Sequence, residues 1–72
     1  MMPRDLRGLA PPGPLEIILA EVDEAKPGKQ LAYVLPHFPG PLASLLAEQG
    51  VRLQSQMLPD FSGVVLTLQL PG

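Results

Sequence analysis

Apolar positions recur along the chain with two different periods, and clusters of proline and glycine separate the stretches. Leu15, Ile18, Leu19 and Val22 fall at i, i+3, i+4 and i+7, while Glu16, Asp23 and Glu24 lie off that stripe. This spacing predicts an amphipathic helix beginning at Pro12 and Pro14, which suit a first turn whose backbone donors have no helical partner. Lys26-Pro27-Gly28-Lys29 is its stop signal, with cations at the end and a turn beyond. A second, shorter helix is predicted by Leu42, Leu45, Leu46 and Gln49, with Gly50 placed for a left-handed C-terminal cap.

The remaining stretches read as strands. Residues 5–9 form a short one, ended by Ala10-Pro11-Pro12-Gly13-Pro14. Residues 30–35 include the unbroken apolar run Leu31-Ala32-Tyr33-Val34-Leu35, expected of a strand covered on both faces or lying centrally in a sheet. Val51, Leu53, Ser55 and Met57 alternate with Arg52, Gln54 and Gln56, the pattern of a half-buried edge strand. After the turn at 59–63, residues 64–70 place Val64, Leu66, Leu68 and Leu70 on one face. The order is therefore β-α-β-α-β-β. A right-handed crossover makes the first two strands parallel and puts both helices on one face, giving an α/β (α+β) two-layer sandwich.

Length and composition narrow the classes. Seventy-two residues form one domain, spanning 1–72, and a chain of this size buries only about 60% of its unfolded surface. With no cysteine there is neither a disulfide staple nor a thiolate metal site. Ten prolines offer another stiffening, each about 0.4–1 kcal/mol where its loop geometry fits. Many prolines with no cysteine or asparagine are consistent with a heat-adapted, thermostable chain. Five scattered cations, a net charge of −2 and three aromatic side chains argue against nucleic-acid binding. No apolar run approaches the roughly 18 residues of a membrane span, and Pro3, Arg4 and Asp5 interrupt any secretory leader, so a cytoplasmic location is expected.

Several spacings together resemble one known family. Arg4-Asp5-Leu6-Arg7-Gly8-Leu9 followed by Pro12-x-Pro14-Leu15, then Pro27-Gly28-x-x-Leu31, Pro39-x-Pro41-Leu42 and a leucine-rich helix ending at Gly50, are similar to TusA/SirA-like proteins over nearly the whole chain. The resemblance implies a SirA-like sheet of order 1-2-4-3 in which only the last strand is antiparallel. It departs at the family's cysteine position, which is Pro11 here, so the residue that carries persulfide sulfur in sulfur-relay members is absent. The chain looks more like a cysteine-less, uncharacterised sister branch with Pro-Pro at this point, often beside or fused to haemerythrin-like domains, which implies a respiratory or nitric-oxide context. Physical chemistry agrees on the lost thiol: a helix N-terminus activates a cysteine, whereas proline has neither thiol nor N–H.

With that sheet, the C-terminal ends of strands one, two and three would share an edge carrying Arg7 and Gly8, then His37 and Phe38, then Met57, Asp60 and Phe61, the usual place for ligands in open α/β sheets. His37 is the single histidine. Its imidazole could serve haem or copper, with Met57 as a soft second ligand and Arg7 assisting. The plainer reading makes His37 a loop residue and Met57 a core residue. Ser44, Ser55 and Ser62 have no histidine near in sequence, and the helix carboxylates read as solvated faces, so no catalytic constellation is legible. Two functions follow. One is a non-enzymatic accessory or protein-interaction module, docking a partner or itself through residues 36–42 or the polar edge of the third strand. The alternative is a haem- or copper-binding domain centred on His37.

Overall fold

A computed structural model describes residues 3–10 and 12–72. The elements run β1 (Arg4–Asp5), α1 (Gly13–Glu24), β2 (Gln30–Leu35), α2 (Gly40–Glu48), β3 (Arg52–Met57) and β4 (Val64–Gln69). They form one four-stranded mixed sheet in the order β1-β2-β4-β3. β1 runs parallel to β2, and β4 runs antiparallel to both β2 and β3. The β-α-β-α-β-β order and the mixed sheet expected from the sequence are those observed.

The core follows from strand parity. Leu31, Tyr33 and Leu35 of β2, with Val64, Leu66, Leu68 and the following Leu70, are buried on one face of the sheet. Leu6, Ile18, Leu42, Leu46 and Val51 complete the cluster. Ala32 and Val34, on the other face of β2, are only half-buried. β2 is thus an interior strand covered fully on one side, and its apolar run reflects its central position.

Two boundaries and one burial pattern differ from those the sequence predicts. β1 stops at Asp5 because the Asp5 carboxylate accepts the Arg7 amide at 3.0 Å, a local turn that competes with the sheet. Leu6 still donates its N–H to Val34 O at 2.9 Å. α1 ends at Glu24, so Lys26 lies in the following turn rather than in the last helical one. The apolar row of β3 is covered only at its start: Val51 is buried and Leu53 half-buried, but Ser55 is exposed and Met57 is 54% exposed. Met57 is therefore a surface residue.

α2 closes as its sequence predicts. Gly50 has a φ of 83°, its N–H donates to Ala47 O at 3.0 Å, and the N–H of Val51 donates to Leu46 O at 3.1 Å. These two bonds make a Schellman motif, with Val51 and Leu46 both buried as its hydrophobic pair. Among the described residues, no helix is long and apolar enough to cross a membrane.

Candidate functional site

Parallel β1, β2 and β3 bring their C-terminal ends to one edge of the sheet. The residues there divide into two groups. The first is polar and ties β1 to the turn before β4. Arg7 donates from Nε and Nη2 to the two oxygens of Asp5, at 3.0 and 2.8 Å, and from Nη1 to Ser62 Oγ at 2.8 Å. Ser62 in turn donates from Oγ and from its backbone N–H to Asp60 Oδ1, at 2.7 and 3.0 Å. The Arg7 guanidinium beside Asp5 holds that carboxyl down at about 2, and the two bonds from Ser62 lower that of Asp60.

Chemically this group is a brace. A carboxylate held below its ordinary range is a weak general base, and Ser62 Oγ gives its proton to Asp60 while accepting from Arg7. Gly63 fits beneath it, because a Cβ there would run into the carbonyl oxygen of Leu35 and come within 3.2 Å of Arg7 Cδ. The brace also holds Phe61, which is 80% exposed with a φ of 60°.

The second group is an apolar cleft of about 260 Å³ between the N-terminal ends of α1 and α2. Leu9, Pro12, Pro14, Leu15, Ile18, Leu35, Pro36, Pro39 and Leu42 line it, with His37 as its one ionisable side chain. Both helices start there because each follows a strand of the parallel set, and prolines occupy the caps and first turns of both. Leu9 and Leu15 are 44% and 40% exposed, and Phe38, next to His37, is 48% exposed.

The expected site residues are thus only partly brought together. His37 lies on the cleft and Arg7 belongs to the brace. Met57 shares a cross-strand row with Val64 and Leu35, with β4 between β3 and β2. That spacing puts it about 10 Å across the sheet from Leu35. Neither Arg7 nor Met57 lines the cleft. Among the described residues, no three His, Asp or Glu side chains gather where they could hold a metal ion. Pro11, which the resemblance to TusA/SirA-like proteins would set at their cysteine position, lies outside the described residues.

Sequence reading did not single out Leu9 and Leu15 as surface-forming. Leu15 fits the helix stripe, but in the first turn it lines the cleft and stays exposed. The Asp5–Arg7–Ser62–Asp60 brace joins residues far apart in the chain, and no local pattern announces it.

Comparison with curated proteins and with solved structures gives no match. Residues 4–60, most of the chain, match the family described as "Uncharacterized conserved protein (DUF2249)", and the chain belongs to that family.

Proposed function

We propose that this chain is a small, heat-stable, non-enzymatic accessory module of TusA/SirA-like fold, which docks a partner protein in the cytoplasm by taking an apolar segment into the cleft between α1 and α2. The observation that carries this reading is the cleft itself, almost wholly apolar and open to solvent at Leu9 and Leu15. Its walls include Pro12, Pro14, Pro36 and Pro39. Proline fixes its own φ, so less freedom is lost when a partner docks. At about 260 Å³ the cleft falls just below the usual range of small-molecule pockets, about 300–1,000 Å³, and suits one or two anchoring side chains of a peptide. His37 at its margin supplies a polar contact for the bound backbone. The sheet order agrees with the TusA/SirA-like resemblance, and the absence of cysteine removes the sulfur-relay chemistry of that group.

Selection of displayed peptides against the full chain, followed by NMR mapping, tests the reading. Selected peptides should carry an aliphatic or aromatic anchor and shift the resonances of Leu9, Leu15 and Leu42. They should bind Leu15→Glu at least about tenfold more weakly, the loss expected when an apolar contact becomes a buried charge. Failure to select binders, or binders indifferent to Leu15→Glu, would overturn it. Titration with haem is the companion experiment: a Soret band that disappears in His37→Ala would assign the cleft to a cofactor instead.

A further inference from the structure

β3 is the outermost strand on its side of the sheet, and hydrogen-bond parity identifies the backbone groups it leaves over. Leu58 N–H donates to Gly63 O at 2.9 Å, in the same register that pairs Gln56 with Val65, Gln54 with Thr67 and Arg52 with Gln69. Bonded and non-bonded pairs alternate in an antiparallel ladder. Arg52, Gln54 and Gln56 therefore turn their N–H and C=O groups towards β4, and Leu53, Ser55 and Met57 turn theirs outwards. The bond from Leu70 N–H to Lys29 O, 3.0 Å, assigns the other half of the β4 groups to β2 by the same rule.

The devices that usually blunt such an edge are missing from this one. β3 is six residues long, pairs with β4 without a bulge, contains no proline or lysine, and has no charge beyond Arg52. The opposite edge is the two-residue β1. Leu53-Gln54-Ser55-Gln56-Met57 also reads alike in chemical character from either end.

We propose that two copies of this chain pair antiparallel along β3, about a two-fold axis through Ser55, joining their sheets into one. Leu53 of each copy then faces Met57 of the other, Ser55 faces its twin, and these residues exchange their outward N–H and C=O groups. On the helix side, each Leu53 covers a Met57 that is 54% exposed in the single chain. On the open face, Gln54 meets Gln56 amide to amide and Arg52 stands opposite Leu58, so no like charges oppose each other. Neighbouring registers are poorer. An axis at Met57 sets Ser55 against Pro59, which has no N–H, and an axis at Leu53 carries Met57 past the turn at Gly50. The paired edge lies apart from the cleft, so this inference and the proposed docking function stand or fall separately.

Sedimentation velocity of the full chain across the micromolar range is the test. Wild type should associate reversibly to twice the 7.7 kDa chain mass. Ser55→Pro removes an outward N–H and spares the ladder with β4, so it should keep the wild-type circular dichroism and dimerise at least about tenfold more weakly. Ser55→Lys and Ser55→Glu should each sediment as monomers, because like charges meet on the axis, and an equimolar mixture should recover the dimer. Wild type at chain mass throughout, or variants as dimeric as wild type, would overturn the proposal. Should Ser55→Pro lose its fold, the lysine and glutamate variants and their mixture decide.

Discussion

Phe61 has a positive φ, 60°, in a bulky side chain where glycine would be at ease. A left-handed conformation costs a residue with a Cβ about 1–2 kcal/mol. The turn is held from both sides, by Phe61 N–H to Leu58 O at 2.9 Å and by the Arg7–Ser62–Asp60 chain. With the ring 80% exposed, little packing repays the strain. Phe61→Gly should therefore raise stability by about 0.5–1 kcal/mol, the relief less the extra freedom glycine has when unfolded. Urea midpoints of the two proteins measure it, and a lower midpoint in the variant would show that contacts of the ring outweigh its strain.

Among the elements, α1 and α2 are stopped by different means. α1 passes into an extended C-cap at Ala25, whereas α2 depends on the left-handed Gly50. A Cβ at Gly50 would meet only Pro71, at 3.8 Å, an ordinary contact, so space is not the constraint. Gly50→Ala should lose about 1 kcal/mol through backbone conformation alone, and Gly50→Asn should lose less, since asparagine tolerates that region. Equal losses in denaturant titrations of the two variants would count against this explanation. Gly50 as the end of α2 is legible from sequence because the cap lies within one short segment. The end of β1 is not, because Asp5 and Arg7 choose between a strand and a side-chain turn that the apolar pattern does not register.

At the scale of the whole molecule, Tyr33 joins three elements. It is 1% exposed on β2, donates its hydroxyl to Glu21 of α1 at 2.9 Å, and Glu21 is paired with Arg4 of β1. Burial, reinforced by the hydrogen bond to Glu21, pushes the phenol well above its ordinary value of 10.0. The folded chain therefore keeps a proton that the unfolded chain releases above about pH 10, and stability must fall as pH rises past that point. Tyr33→Phe should be less stable by about 0.5–1.5 kcal/mol at neutral pH and should lack that part of the alkaline loss. Denaturation curves at neutral pH and near pH 11 check both. With a single tyrosine, phenolate absorbance reports the titration directly, and ionisation at the ordinary value in the folded protein would contradict it.

The sequence by itself determined the number and order of elements, the buried row of β4, the α2 cap and the edge character of β3, because each rests on period or turn chemistry within a few residues; which face of the unbroken apolar run in β2 is buried was left to the structure. The strand order was expected only from the resemblance to TusA/SirA-like proteins. Tertiary structure alone decided where chemistry could gather. It set His37 on an apolar cleft, committed Arg7 to Asp5 and Ser62, and left Met57 at the bare end of its row. Two short helices cannot cover all of a four-stranded sheet, and an alternating sequence pattern does not reveal which end of its apolar row stays bare.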